Sequence, residues 1–189
     1  MADALATEIL VFWFGTPILS EVVPFNEAWF QRDDAFDERI RLAFAGHVEA
    51  AIAGGLDAMA VDAEGALALI LLLDQFPRNL YRGTAKAFAG DERARRMARF
   101  ALARGAERAM SPNHRIFLYL PFEHSESLRD QELSVALFST LKDARALDYA
   151  VRHKEVIARF GRFPHRNAAL GRDSTPEEVE FLKTPGSSF

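Results

Sequence analysis

Two short polar phrases hold the residue types in this chain that are best suited to bind an anion. Residues 74–83 read DQFPRNLYRG, and residues 162–172 read RFPHRNAALGR. In both phrases a Phe-Pro pair precedes an Arg-Asn pair. Arginine offers a planar fork of N–H donors and asparagine offers a donor and an acceptor, so the combination suits a carboxylate or a phosphate.

Each phrase follows a strongly apolar stretch of helical character. Because proline lacks a backbone N–H and interrupts a helix, Pro77 and Pro164 are expected to end these helices. The Arg-Asn pairs would then lie in the turns just beyond. If the two turns converge, they form a clamp for a peptide carboxylate or a small anionic molecule.

The C-terminal segment of the chain is itself a candidate ligand. Residues 186–188 read Gly-Ser-Ser, and Phe189 adds an aromatic ring and a carboxylate. We therefore expect this tail to dock in the clamp of its own molecule or of a neighbour. An ordered tail would support that hypothesis.

A third polar run and one helical histidine complete the set of side chains that could contact a ligand. The candidate ligand-binding residues are Asp74, Arg78, Asn79, Arg82, Glu123, His124, Glu126, His153, His165, Arg166, Asn167 and Arg172.

Several of these residues also have a purely structural explanation. Asp74 lies at the C-terminal end of an apolar helix, where the helix dipole disfavours an anion, so an ion pair with Arg78 or with an arginine of the second phrase would account for it. His153 shares a helix face with apolar residues, which favours a hydrogen-bonded core histidine over a general base. The asparagines could satisfy backbone groups after each helix, while the arginines pair with Asp74 or Glu126.

The run Glu123-His124-Ser125-Glu126 is the densest group of titratable side chains. Acid–base catalysis is conceivable there, but catalytic residues cannot be assigned. The run lacks two ligands spaced i and i+4 on one helix face, so further ligands would have to come from distant histidines, and we predict neither a metal nor a cofactor. Ser125 lies in no Gly-x-Ser-x-Gly turn, which argues against a serine nucleophile.

Composition narrows the classes of protein to consider. The chain has 189 residues, of which 49% are hydrophobic and 26% are charged, a balance typical of a soluble globular protein. We expect a single domain over residues 1–189. Cysteine is absent, which excludes disulfides and thiolate chemistry. The acidic start of the chain reaches only a brief apolar run, so we predict no signal peptide, no membrane association and a cytoplasmic location.

Charge is distributed unevenly along the chain. Residues 1–77 contain 3 basic and 13 acidic side chains, whereas residues 78–108 contain 9 basic and 3 acidic ones. An arginine run at positions 93–99 could contact nucleic acid. However, the net charge is −4 and no helix-turn-helix signature accompanies the run, so we predict a solvated helix face and no nucleic-acid partner.

Helical signals cover most of the chain. Predicted helices include one starting at Asp33, a core helix capped by Asp62 whose middle is apolar on every side, and a last helix opened by a Thr175–Glu178 capping box. Residues 128–142 and 145–160 are expected to form an antiparallel pair that ends at Gly161. The pattern predicts an all-α single domain of about eight mostly antiparallel helices.

Five phrases also resemble a known family. Residues 10–15, 72–79, 119–126, 160–167 and 185–189, in that order, resemble the bacterial family called domain of unknown function 924. The resemblance covers essentially the whole chain. It implies a tetratricopeptide-like, right-handed superhelical array of helices, and it implies no activity.

Three classes of function remain open. The first is a helical module that binds a peptide end or a small anionic molecule. The second is a small hydrolase or transferase that uses Glu123, His124 or Glu126 with arginines as substrate anchors. The third is a structural or oligomerising protein, which exposed aromatics such as Trp13 or Trp29 would favour. We choose the first, and the sequence alone does not indicate an oligomeric state.

Overall fold

The computed structural model describes residues 4–188, and all regular structure within that range is helical. The longer elements, in chain order, are α1 (Ala4–Phe14), α2 (Asp34–Ile52), α3 (Ala63–Ile70), a π-helical segment (Leu71–Gln75), α4 (Phe76–Leu80), α5 (Asp91–Ala103), α6 (Pro112–Glu123), α7 (Leu128–Ser139), α8 (Ala144–Phe160) and α9 (Pro176–Leu182). Because α3, the π segment and α4 follow one another without a break, the described residues form eight separate helices. The prediction of an all-α fold is therefore confirmed. Within the described range, no helix combines the length and the apolarity needed to cross a membrane.

Helix starts and stops follow the local sequence signals. The side chains of Asp33 and Asp62 accept hydrogen bonds from backbone amides in the first turns of α2 and α3. Thr175 and Glu178 form the reciprocal capping box at the start of α9. Gly161 ends α8 with a left-handed φ of 68°. These four predicted helix ends are confirmed.

The prediction that Pro77 ends its helix is wrong. Pro77 lies within α4, which continues for three more residues. The π segment changes the hydrogen-bond register here, because the Phe76 N–H donates to the Leu71 carbonyl five residues back. In a regular helix, the N–H of residue 77 would donate to the Leu73 carbonyl. That carbonyl lies so close to Gly90 that a Cβ added to Gly90 would be 2.1 Å from the Leu73 oxygen. Pro77 has no backbone N–H to donate. It is tolerated because the helical hydrogen-bond pattern has already changed at Phe76, so no regular i to i−4 bond is broken at residue 77.

The chain divides into two compact units. Unit 1 comprises the described residues up to Arg82 together with Lys86–Pro121, and unit 2 comprises Gly83–Ala85 and the described residues from Phe122 onward. The boundary falls within α6. That the whole chain forms one domain, and that its helices form a tetratricopeptide-like array, both stay predictions.

The core of unit 1 forms around the apolar stretch that was expected to be a central helix. Residues 66–73 are all buried, and α1, α2 and α5 contact α3 or the π segment. An aromatic cluster completes this core: Trp29 Nε1 donates to the Trp13 carbonyl at 2.9 Å, and the Phe117 ring lies edge-on to both indoles. Both tryptophans are buried, so neither is the exposed aromatic that would mark a self-interface.

Unit 2 contains the helix pair predicted at residues 128–142 and 145–160, which the structure has as α7 and α8. These two helices contact each other. A small apolar core forms from Val156, Ile157 and Phe163, with Phe160 and Phe181 packed against it. This core therefore contains the phenylalanine of the second polar phrase.

The described part of the C-terminal tail is held by unit 2. The Gly186 carbonyl accepts a long hydrogen bond of 3.4 Å from Arg152, and the buried Ser187 hydroxyl donates to the Leu182 carbonyl at 3.1 Å. Phe189, the residue predicted to dock in the Arg-Asn clamp, lies outside the described residues. Docking of the tail in that clamp stays a prediction.

Candidate functional site

The twelve predicted site residues fall into two groups. Asp74, Arg78, Asn79 and Arg82 belong to unit 1. Unit 2 holds the other eight, which are Glu123, His124, Glu126, His153, His165, Arg166, Asn167 and Arg172. Each phrase is thus described within its own unit, and convergence of the two turns stays a prediction.

Arg78 forms ion pairs with two aspartates inside unit 1. Its guanidinium donates to the Asp91 carboxylate at 2.8 and 3.1 Å and to the Asp74 carbonyl at 2.6 Å. The Asp74 carboxylate lies 3.4 Å from the same guanidinium and accepts a hydrogen bond of 2.6 Å from Gln75. Burial alone would lower the pKa of Arg78, but the charges of Asp74 and Asp91 outweigh it and raise the pKa. This network accounts for Arg78 without any ligand.

Asn79 and Arg82 share one partner on α2. The Asn79 amide donates to the Asp37 carboxylate at 2.6 Å, and the Arg82 guanidinium donates to both oxygens of the same group at 2.7 and 3.0 Å. These contacts tie the end of α4 to α2. The first phrase therefore serves as a connector within unit 1, and sequence reasoning missed its partner Asp37.

The second phrase forms a loop, and Glu126 and Arg172 hold the backbone of this loop in place. After α8 ends, Pro164 opens a short 3₁₀ turn, Pro164–Arg166. The Glu126 carboxylate accepts from the Phe163 N–H at 2.8 Å and from both terminal nitrogens of Arg172 at 2.7 and 2.9 Å. Burial would raise the pKa of Glu126, but the Arg172 and Phe163 hydrogen bonds outweigh it and lower the pKa. Glu126 is therefore a charged tether and is poorly suited to be a general acid.

Glu178 of α9 also holds this loop. The sequence predicted Glu178 only as part of a helix cap. It accepts from Arg162 at 2.6 and 2.8 Å, from the Thr175 N–H at 2.7 Å and from Asn167 at 3.3 Å. The Arg162 hydrogen bonds are the largest cause of its lowered pKa, which falls to about 2. Arg172 in turn donates to the Asn167 side-chain oxygen at 3.0 Å. Asn167 is thus part of the loop framework.

His153 of α8 and two side chains of the second phrase, His165 and Arg166, gather around the buried ring of Phe163. The His153 ring lies edge-on to it with a centroid distance of 5.6 Å, and the His165 ring lies 5.5 Å away. The Arg166 guanidinium carbon lies 4.5 Å from the Phe163 centroid, in cation–π contact. Three nitrogen-rich side chains therefore converge on one apolar ring.

His153 connects this ring to the Glu123-His124 run. Its Nδ1 lies 2.8 Å from the Tyr149 carbonyl and 3.3 Å from a Glu123 carboxylate oxygen, and the His124 ring is 6.3 Å away. The pKa of His153 is lowered to about 3, mainly by burial and also by the charges of His124, Arg166 and His165, which together outweigh the Tyr149 hydrogen bond that raises it. The imidazole is therefore neutral at pH 7, and the hydrogen bond to Tyr149 assigns its proton to Nδ1.

Helix α7 holds the turn that carries His124. The Gln131 side chain donates to the carbonyls of Glu123 and Ser125 at 2.6 and 2.7 Å. The Ser125 hydroxyl donates to Asp130 at 2.8 Å. Neither Gln131 nor Asp130 was predicted.

We define the Phe163 cluster as Phe163 with His124, His153, His165 and Arg166. Two of its members, His124 and His165, are only half-buried, so solvent reaches the cluster. Among residues 4–188, no three or more histidine, aspartate or glutamate side chains are grouped closely enough to hold a metal ion. The cluster combines one guanidinium and three imidazoles with an apolar ring.

Comparison with known proteins places the chain in a family. A family model described as "Bacterial protein of unknown function (DUF924)" matches residues 9–186. The chain belongs to this family. It is also similar to the solved structure titled "Structure of Protein of Unknown Function ATU0120 from Agrobacterium tumefaciens", with 42% identity, coverage of 95% of this chain and 97% of that chain, and a TM-score of 0.87. No curated protein matches the chain.

DUF924 membership confirms the resemblance that the five phrases suggested, and it supplies no site residues. Two open depressions exist on the described surface, one of about 350 Å³ in unit 1 and one of about 370 Å³ in unit 2. Neither is lined by any of the twelve predicted residues. The depression in unit 2 is lined in part by Val156, Phe160 and Phe181, which belong to the core around Phe163.

Proposed function

We propose that this DUF924 protein is a binding module that takes an anionic small molecule or a peptide carboxylate at the Phe163 cluster. The observation that carries the proposal is the convergence of His153, His165 and Arg166 on one buried ring. Imidazole and guanidinium N–H groups are donors that recognise carboxylate and phosphate oxygens. Because His124 and His165 are half-buried, an anion can reach these donors from solvent.

Electrostatics favour an anion at this position. Like charges that approach one another in a partly desolvated environment raise each other's free energy, and an anion placed among them lowers it. The lowered pKa of His153 reflects this crowding after the larger effect of burial. A bound anion would therefore make protonation of the cluster more favourable.

The loop around the cluster is rigid enough to hold the donors in place. The Glu126–Arg172 and Arg162–Glu178 pairs hold both sides of residues 162–172. Donors held by packing and secondary hydrogen bonds lose little conformational entropy on binding. In this proposal Arg172 and Asn167 position the loop, Arg166 and the half-buried His124 and His165 contact the anion, and His153 packs behind them with its N–H bound to the Tyr149 carbonyl.

Isothermal titration calorimetry tests the proposal with three probes: inorganic phosphate, a short peptide with a free C-terminal carboxylate, and the same peptide amidated. We expect the two anions to bind and the amidated peptide to bind at least about tenfold more weakly, because a charge-assisted hydrogen bond contributes about 1.5–3 kcal/mol. Arg166→Gln should weaken anion binding by a similar factor. Arg159→Gln, at an exposed arginine of α8, is the matched control and should leave it unchanged.

Two results would refute this function. In one, neither phosphate nor the free peptide binds the folded wild-type protein. In the other, Arg166→Gln and His165→Ala, both folded by circular dichroism, bind the anions as tightly as the wild type does.

One contact favours the enzymatic alternative as a second candidate. Glu123 and His153 are both buried and lie 3.3 Å apart, a pairing of carboxylate and imidazole that orients general bases in many enzymes. In a screen of ester and phosphoester substrates, this alternative predicts turnover that Glu123→Gln abolishes while anion binding persists. If no substrate is turned over, or if Glu123→Gln keeps full activity, the alternative is excluded for those classes.

A further inference from the structure

Unit 1 exposes a group of large apolar side chains in the loop that links α1 to α2. Phe25 and Phe30 are 43% and 51% exposed, and Ile18 and Val22 of the same loop are 56% and 79% exposed. The two phenylalanine rings stack on each other at 5.8 Å, and Phe30 also stacks on the buried Phe117 at 5.8 Å. Contiguous exposed aromatics supported from below are typical of an interaction surface.

The same segment of the chain is rich in acidic side chains. Residues 15–38 contain six acidic side chains and one basic side chain. Glu21, Glu27, Asp33 and Asp34 are all exposed. We call this loop surface, with Phe25 and Phe30 at its centre, the acidic face. Two such faces would repel each other, so a partner for this face must carry basic charge around an apolar centre.

The same unit has a largely apolar depression beside the arginine-rich residues 93–108, and the one acidic side chain of its lining, Asp57, is paired with Arg93. This open depression of about 350 Å³ is lined by Asp57, Ala60, Val61, Met97, Phe100 and Arg104. Val61 and Phe100 are 68% and 46% exposed, and the Arg104 guanidinium lies 5.3 Å from the Phe100 ring centroid. Residues 93–108 contain six arginines and one acidic residue. We call this surface, with Phe100 at its centre, the basic face.

We infer that a second copy of this chain is the partner, with the acidic face of one molecule bound to the basic face of the next. Each face supplies what the other lacks: exposed rings meet an apolar depression, and carboxylates meet arginines. Because the two faces are different surfaces of one chain, the contact is head-to-tail and each bound molecule retains one unused face. Assembly therefore continues beyond the dimer as concentration rises.

Analytical ultracentrifugation of the full chain tests this inference. The wild type should sediment above the 21.1 kDa monomer as concentration rises. Raising NaCl from 50 to 500 mM should weaken the association about tenfold, because salt screens the complementary charges. Phe30→Ser and Phe100→Ser, at half-exposed positions, should each remain folded and monomeric.

Mixing the two variants is the decisive step. Phe30→Ser keeps an intact basic face and Phe100→Ser keeps an intact acidic face, so the mixture should form a one-to-one heterodimer and nothing larger. Leu42→Ser, at a 73% exposed position of α2 outside both faces, is the matched control and should behave like the wild type.

Each other outcome overturns the inference. If the wild type stays monomeric at millimolar concentration, the two faces do not bind each other, and any partner of the acidic face is a different molecule. A Phe100→Ser variant that still dimerises alone shows a symmetric contact through another surface. A mixture that stays monomeric shows that the two faces are not complementary.

Discussion

Arg78 and Arg166 occupy corresponding places in the two polar phrases, but their surroundings differ. Arg78 follows FP directly and lies in helix α4, with the carboxylates of Asp74 and Asp91 around it. Arg166 follows FPH and lies in a 3₁₀ turn, with its guanidinium over the Phe163 ring. The one inserted residue, His165, and the change of helix type place the second arginine on an apolar ring among histidines.

This difference separates a stabilising network from a candidate binding site. An arginine between two buried carboxylates is neutralised by the fold, and removing it takes away the cation that both carboxylates share. An arginine stacked on a ring, with histidines beside it, presents donors whose interactions a ligand can strengthen. Similar motifs therefore have different surroundings in the two units, and we expect different roles for them.

The largest expected effect is the loss of stability when the first phrase loses its arginine. Arg78→Ala should lower the free energy of unfolding by about 3–5 kcal/mol, because Asp74 and Asp91 remain buried without their shared partner. Urea denaturation followed by circular dichroism measures this loss. A decrease below about 1 kcal/mol would mean that the first phrase is not a stabilising network.

A smaller loss of stability is expected when Arg172, which ties the second phrase to Glu126, is removed. The Arg172 and Glu126 side chains are 24% and 29% exposed, so water screens their ion pair. Arg172→Ala should therefore cost about 1–2 kcal/mol, since it also removes a hydrogen bond to Asn167. If the same urea experiment gives a loss as large as that of Arg78→Ala, the proposed contrast between the phrases is wrong.

Acid should destabilise the second phrase through Glu178. Its pKa in the folded protein is about 2, below the ordinary value of 4.5. Because the folded pKa is depressed, the stabilisation is fully present above pH 4.5 and is lost as pH falls toward 2. Melting temperatures measured from pH 7 to pH 2 should therefore fall less steeply below pH 4.5 in Glu178→Gln than in the wild type. Parallel curves for the two proteins would contradict this assignment.

A buried histidine of unit 1 should produce a second pH dependence at higher pH. His114 is fully buried, hydrogen-bonds Ser111 at 2.8 Å, and has a pKa lowered by burial from 6.5 to about 4. The unfolded chain therefore binds a proton more readily between these values, so stability is full above pH 6.5 and falls as pH drops toward 4. His114→Gln should flatten the melting-temperature curve between pH 6.5 and 4, and an unchanged slope would refute the role of His114.

Local signals predicted most of the fold. Asp33, Asp62 and the Thr175–Glu178 box each identify a helix start, because side-chain capping depends only on neighbouring residues. The uninterrupted apolar residues 66–73 indicate a buried helix for an equally local reason. Pro77 was misjudged because a π-helical register depends on tertiary packing, here the close approach of Leu73 to Gly90.

The site was predicted in part. Sequence identified the polar residues of both phrases, since their types and order are visible in one chain. It could not identify Asp37, because that residue lies 42 positions from Asn79 and has no distinctive local signal. Nor could it show that Phe163 is the point on which three side chains converge, since that depends on how α8 and the following loop pack.

Nuclear magnetic resonance of the histidine rings, with inorganic phosphate added stepwise to the folded protein, tests the central claim most directly. The chain has five histidines, of which His124, His153 and His165 belong to the Phe163 cluster, whereas His47 and His114 lie in unit 1. Binding at the cluster predicts saturable shifts of the first three resonances and none of the other two. If all five resonances stay fixed, or if His47 and His114 shift as much as the others, the Phe163 cluster is not an anion site.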